Sequence, residues 1–258
     1  MRKKQNSFFT RNTYVFLSFL SVVIFFVMWF LVVRYKLIPY LVFPQEALVV
    51  FRDDWKNIAN HALATAIRSL SGFGIGSIVG IGVALLMARS RVFLALINPF
   101  LLLVRPVPVL ALIPIFILWF GLGELGRILF ISLGCFFIVA IISAEAIRNV
   151  NKLYIWAGQA LGCNRGDIYR RVIIPLIIPN IAGGLIIAIT TAFPLCVAAE
   201  FLGAQTGLGF YLIKAEVRLA TSKMIAGVIA ITILAMIFDK GIRQLIKVLT
   251  KWSEREET

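Results

Sequence analysis

Apolar stretches long enough to cross a membrane recur along this chain, and that recurrence limits the fold more than any single motif does. A bilayer-crossing helix needs roughly 20 apolar residues. One buried helix of a large soluble core could account for one such run, but not for several within 258 residues. Hydrophobic residues make up 60% of the chain and charged residues 15%, against roughly 45–50% and about 25% in soluble domains. The fold class is therefore an all-α polytopic membrane protein.

Six membrane segments are expected, at 14–33, 62–87, 93–120, 127–143, 178–199 and 224–238, within one transmembrane domain covering 1–258. The first comes after Arg2, Lys3 and Lys4 as a signal peptide would. Its core from Tyr14 to Val33 exceeds the about 7–15 residues of a signal core and lacks a small-residue cleavage site, so it reads as a retained helix. Pro39 and Pro44 punctuate the next stretch, and 45–60 is expected as an interfacial helix with Trp55 at headgroup level. In the second segment Gly72, Gly76 and Gly80 recur every four residues, beside Gly74 and Gly82. Such spacing strips one helix face of side chains so that another helix can approach closely; a merely glycine-tolerant helix is the plainer alternative.

The third segment is interrupted by Arg105, Pro106, Pro108 and Pro114. Proline removes a backbone donor and clashes with the preceding turn, so a break is expected near 105–108. Broken backbone at membrane depth needs protein or water to satisfy it, which turns the segment toward a pore or the bundle interior. Arg105 either snorkels to the surface or is a functional intramembrane charge. Trp119 closes this segment, and Gly183, Gly184 and Pro194 mark the fifth; with the Gly72–Gly80 stripe, these are the helix-packing or path candidates. Glu200, the Gly207-Leu208-Gly209 turn, Lys214, Glu216, Arg218 and Lys223 are assigned to a polar outer loop, and a charged tail succeeds the last segment.

Six crossings put both termini and the polar 145–175 insert on one side. That side receives the N-terminal cations with Arg11, Arg89, Arg91, Arg148, Lys152, Arg165, Arg170, Arg171, Lys240, Arg243, Lys247, Lys251 and Arg255. The other side receives Arg34, Lys36, Arg52, Lys56, Arg127, Lys214, Arg218 and Lys223, a twofold difference. Positive loops stay cytoplasmic, so the formal charge of +14 mostly records topology rather than nucleic-acid binding; a polybasic contact with membrane lipid can be superimposed, but nothing requires it. Cys135, Cys163 and Cys196 show no paired spacing, and His61 has no ligand cluster around it, so neither a metal nor a catalytic site is indicated.

The insert itself is too patterned for a slack loop. A short helix is expected from Tyr154 to Gly162, with a turn at Gly162-Cys163-Asn164 and a second helix from Arg165. Gly162 suits a left-handed cap, and Pro175 and Pro179 mark the return to the membrane. Leu153, Ile155, Trp156, Leu161, Ile168 and Tyr169 give the element apolar surface. Docking to a partner protein accounts for that pairing of a fixed turn with apolar side chains better than an amphipathic helix lying on lipid.

These residues resemble the coupling motif of bacterial ATP-binding-cassette importer permeases, most closely the branch serving nitrate, taurine and aliphatic sulfonates. Trp156-Ala157-Gly158 matches the opening, Gly162 the family glycine, and Val172-Ile173-Ile174-Pro175 with Pro179 the close. Trp156 stands where the family often has glutamate, and Gly158 where it often has alanine. The stretches Arg105–Pro114, Leu118–Gly123 and Gly207–Gly209 resemble the same branch, and the likeness covers roughly residues 60–240.

The resemblance implies a second permease copy, two cytoplasmic ATPase subunits and an extracytoplasmic solute-binding protein, in the bacterial inner membrane. Coupling to the ATPase would fall to Tyr154, Trp156, Ala157, Gly158, Leu161, Gly162, Arg165 and Tyr169. The chain itself contains no glycine-rich phosphate loop ending in Lys-Ser/Thr, so ATP and Mg would be bound by the partner ATPase subunits and no cofactor by this chain. A self-sufficient secondary transporter or channel, and a non-transporting membrane scaffold, are the competing classes. A cluster of intramembrane acids, as a proton-coupled carrier would need, is not evident in the sequence.

Overall fold

The computed structural model describes residues 2–38 and 40–249, and all of their regular structure is helical. Pro39 and the charged tail from residue 250, with Lys251 and Arg255, lie outside the described residues. Among the described residues, five helices are long and apolar enough to cross a membrane, or six if one bent pair is counted as a single span. The chain divides into two compact units, Met1–Trp55 with Ala215–Ala226, and Lys56–Lys214 with Gly227–Thr258.

The smaller unit holds helix α1 (Arg2–Arg34) and helix α2 (Pro44–Asp53). The apolar side chains of α1 from Phe16 onward are largely exposed, as expected of a helix whose solvent is lipid. The Trp29 indole Nε1–H donates to the Val42 carbonyl at 3.0 Å, and Phe30 packs on Phe43. Pro44 sits in the first turn of α2, where its missing N–H is not needed. Lys223 pairs with Asp54 at 3.1 Å and Ser222 donates to Glu46 at 3.3 Å.

The larger unit is built on α3 (Trp55–Arg89), α6 (Glu124–Arg148) and α9 (Ile174–Phe201), with α4 (Arg91–Val104) and α5 (Ile113–Phe120) between the first two. A 3-10 turn at Val109–Leu112 precedes α5, and the chain bends by 90° between α4 and the Val109–Phe120 segment. The insert carries α7 (Lys152–Ala160) and α8 (Arg165–Ile168); α10 (Leu208–Val217) and α11 (Thr221–Leu249) come after α9. Phe130, Ile131, Cys135 and Val139 of α6 meet Ala188, Ala192, Leu195 and Cys196 of α9 in one core cluster. Ala84 and Met87 of α3, Leu101 of α4, Ala140 and Ala144 of α6 and Ile177 and Ile181 of α9 form another.

The glycine stripe of α3 packs on α6. A Cβ at Gly72 would lie 2.6 Å from Ile131, at Gly76 2.2 Å from the Ser132 carbonyl oxygen, and at Gly80 2.9 Å from Val139. Nothing lies within 4 Å of such a carbon at Gly74 or Gly82, so the four-residue series alone makes the contact. A Cβ at Gly184 would lie 3.5 Å from Ile142, whereas one at Gly183 would meet nothing within 4 Å.

Several expected boundaries differ. The helix expected at 45–60 stops at Asp53, and Trp55 already begins α3, so the segment expected at 62–87 starts earlier and takes in His61 as well as Thr65 and Arg68. Helix α6 extends beyond 127–143 at both ends, and α11 beyond 224–238. Glu200 lies in the last turn of α9 rather than in a loop, and Lys214 and Glu216 lie in α10. The insert is shorter than 145–175: Glu145–Arg148 completes α6, and from Arg165 the chain stays helical through a π turn at Tyr169–Ile173 into α9. Pro175 therefore falls in the first turn of α9 and Pro179 inside it, rather than at a separate re-entry.

Candidate functional site

Three features of the larger unit are candidates for a functional site, and the first is the insert. Asn151 caps α7 by accepting from the Leu153 N–H at 2.9 Å, and Asn164 caps α8 by accepting from Gly166 at 2.8 Å and Asp167 at 3.0 Å. Side-chain caps of this kind satisfy the unpaired donors of a helix start and hold the entry angle of the chain. Between the helices Gly162 adopts φ +81, in the left-handed region where a side chain is disfavoured. Leu153, Tyr154, Trp156 and Leu161 are exposed, Leu161 at 85%, and Ala157, Gly162 and Arg165 are exposed with them.

Two of the expected coupling residues turn inward instead. Gly158 is buried, and a Cβ there would lie 3.6 Å from Ile168 and 3.7 Å from Val172. The Tyr169 hydroxyl donates to the Leu85 carbonyl at 3.1 Å, with the Arg89 guanidinium 5.8 Å from its ring. Tyr169 fastens the element to α3 and Gly158 lets α7 pack on Ile168 and Val172, while the other six stay exposed.

The second feature is a cavity of 530 Å³ beside the bend after α4, walled by α6 and α9. Val107, Pro108, Val109 and Leu110 face Gly134, Phe137, Ile138, Ile187, Thr191 and Pro194 across it. A mostly apolar volume of this size falls in the range of small-solute sites, about 300–1,000 Å³. Of the path candidates, Arg105, Pro108 and Pro194 line it. Gly72, Gly76, Gly80 and Gly184 instead pack helices, and Pro114 starts α5. Trp119 is 70% exposed. At the insert end of the cavity Arg105 forms an ion pair with Glu145, and Arg148 donates to Asn98 at 3.3 Å.

The third feature lies at the opposite end of the unit and was not anticipated from sequence. Arg68 holds Glu124 through two hydrogen bonds of 2.6 and 2.7 Å, and donates to Glu200, the Thr206 carbonyl and the Thr206 hydroxyl at 2.7 Å each. Thr65 donates to the Glu200 carboxylate at 3.0 Å and accepts from the Leu208 N–H at 2.8 Å. The Gly209 N–H donates to Glu200 at 2.8 Å, and the Gly207 N–H to His61 Nδ1 at 3.1 Å. Arg127 joins Glu124 at 2.9 Å to the Gly203 carbonyl at 3.0 Å. Arg68 and Glu200 are 4% and 1% exposed.

Two guanidinium groups and two carboxylates thus balance at this end of the bundle, with Arg68, Arg127 and Glu200 buried and Glu124 exposed, and Glu200 and Thr65 also satisfy the amides that open α10. Buried charges persist only when paired and hydrogen-bonded. The network pins the Gly203–Gly207 turn to α3 and α6. The usable sequence signal was the polar spacing of His61, Thr65 and Arg68, one helical face repeating every three to four residues. Among the described residues, no group of three or more His, Cys, Asp or Glu is placed to hold a metal ion.

Comparison with known proteins bears on the family and the fold. The sequence profile of the family described as "Binding-protein-dependent transport system inner membrane component" matches residues 72–251. The chain is 35% identical over 192 residues to the taurine transport system permease protein TauC of Escherichia coli (strain K12), covering 74% of this chain and 70% of that protein. It is 32% identical over 197 residues to the putative aliphatic sulfonates transport permease protein SsuC of Bacillus subtilis (strain 168), covering 76% and 71%. Among solved structures, an amino acid ABC transporter aligns with a TM-score of 0.61 at 18% identity, covering 79% of this chain and 97% of that chain. The MetNI methionine ABC transporter aligns at 0.56 and 19%, covering 76% and 95%; at these identities the likeness speaks for the fold.

Proposed function

Because the chain belongs to the family of binding-protein-dependent transport system inner membrane components, we propose that it forms the translocation path of an ATP-driven importer for a small organic or inorganic anion such as taurine, another sulfonate or nitrate. The solute would arrive from an extracytoplasmic binding protein, and two copies of this chain would sit over two cytoplasmic ATPase subunits that bind ATP and Mg. The basic end, with the insert and both termini, would face the cytoplasm. No step of nucleotide chemistry falls to this chain.

One observation carries the reading: a capped, rigid insert displays Leu153, Tyr154, Trp156 and Leu161 to the outside while Gly158 and Tyr169 anchor it. Apolar side chains held out by fixed geometry support an interface whose partner supplies what the chain lacks, a motor. The taurine and sulfonate relatives support the choice of solute.

The test is uptake of radiolabelled taurine and methanesulfonate into proteoliposomes carrying the permease, its cognate ATPase and the binding protein. Uptake is expected only with ATP and all components, and the double variant Trp156→Ala, Leu161→Ala is expected to lower it about tenfold or more by weakening ATPase docking. Uptake by the permease alone, driven by an ion gradient, would instead establish a secondary transporter. Partner capture without uptake of either sulfonate, or of nitrate offered with them, would retire the anion assignment.

A further inference from the structure

Arg105 and Glu145 occupy a seam between two unlike volumes. Among the described residues lining the apolar cavity, Arg105 alone carries charge. A second recess of 330 Å³, lined by Glu145, Asn149, Asn151, Tyr154 and Asn180, is polar, and Ile142 borders both. The ion pair therefore joins the inner end of the cavity to a recess opening beside α7. Its side chains are 57% and 37% exposed, so water reaches the pair and exchange of one partner is easy. It also bridges separate elements, Arg105 at the bend after α4 and Glu145 in the last turn of α6.

Resting on the importer reading, we propose that Arg105 is the anion contact at the inner end of the path and that Glu145 is its built-in competitor. Glu145 meets the guanidinium through Nη1. A guanidinium presents five N–H donors in a planar fork, a geometry that suits a sulfonate, nitrate or carboxylate in two-point contact. An anion crossing the apolar cavity exchanges with the Glu145 carboxylate on the same cation. When the carboxylate returns, the solute is released toward Asn149, Asn151 and Asn180, whose amides offer weaker neutral contacts. A path site has to bind firmly enough for entry and loosely enough for exit, and a tethered rival carboxylate supplies the second condition. Movement of the bend relative to α6 would change the balance between the two partners.

The experiment is equilibrium binding of methanesulfonate, nitrate and taurine to the full chain in lipid nanodiscs, with uncharged dimethyl sulfone as the shape control. Wild type is expected to bind the anions and not the sulfone. Arg105→Gln should weaken anion binding about tenfold, and Arg105→Lys by less. Glu145→Gln should strengthen it about threefold by removing the rival, which a purely structural ion pair would not do, since loss of either partner would then act in the same direction. Equal affinities in all variants, weakening in both Gln variants, or no anion binding by wild type each overturn the proposal. Sulfonate import that proceeds with both variants indistinguishable from wild type removes the latch and leaves the importer. Arg105-dependent nitrate binding in a transporter that imports no sulfonate keeps the latch and removes that solute class.

Discussion

Glu200 illustrates how much one side chain can hold. Its carboxylate accepts from Thr65, Arg68 and the Gly209 amide at 2.7–3.0 Å while 1% exposed. Glu200→Gln keeps the shape but takes a negative charge from a balanced set, leaving the Arg68 and Arg127 cations with Glu124 alone. Breaking such a buried pair costs about 3–5 kcal/mol, so a marked fall in the thermal unfolding midpoint of the detergent-solubilised chain is expected. The double variant Arg68→Met, Glu200→Leu should recover part of it, because no orphaned charge at Arg68 or Glu200 remains; an unfolding midpoint for Glu200→Gln equal to wild type would contradict the geometry. The turn beyond depends on the same residue. Gly207 has φ +113, and a Cβ there would lie 2.2 Å from the Glu200 carboxyl group. Sequence showed Gly207-Leu208-Gly209 as a turn but assigned Glu200 to the loop, since an acid at the edge of an apolar run ordinarily marks the end of a span.

Among the elements, α3 and α6 fit through absence of side chains. The Gly76 position approaches the Ser132 carbonyl, a backbone atom that cannot rotate away. Gly76→Ala should therefore destabilise by about 1–3 kcal/mol through overpacking. Gly74→Ala and Gly82→Ala meet nothing within 4 Å and should be neutral or slightly stabilising, as helix interiors favour alanine. Thermal unfolding of the three variants separates a packing stripe from general glycine tolerance, and equal effects would favour tolerance. The four-residue spacing was legible because it is a local pattern. The start of α3 was not, because Trp55 read as part of the preceding interfacial helix, and the groups that His61, Thr65 and Arg68 pair with come from α6, α9 and the Gly203–Gly209 stretch, far away in sequence.

For the whole molecule, the recurrence of long apolar runs announced the class, and the helical, multi-spanning fold agrees with it. The break after α4 was equally readable, since proline acts on its own backbone. What no linear pattern supplies is how the polar groups of distant segments neutralise one another, as Arg68, Glu124 and Glu200 do where α9 ends and α10 begins. Sidedness also belongs to the entire chain and can be measured. With Cys135, Cys163 and Cys196 replaced by serine or alanine and the permease expressed without its ATPase, Leu161→Cys should react with a membrane-impermeant maleimide in inside-out vesicles and not in intact cells, as the excess of Arg and Lys around the insert predicts. Labelling in intact cells would reverse the topology and detach the insert from any cytoplasmic motor.

The unbroken helical run Arg165–Phe201 has a mechanical consequence. Its 37 residues span roughly 55 Å at 1.5 Å per residue, with the Asn164 cap at one tip and Glu200 at the other. A push delivered at the capped tip reaches the far ionic knot through a single shaft, so the two ends of the bundle are geared together by covalent continuity rather than by a relay of side chains.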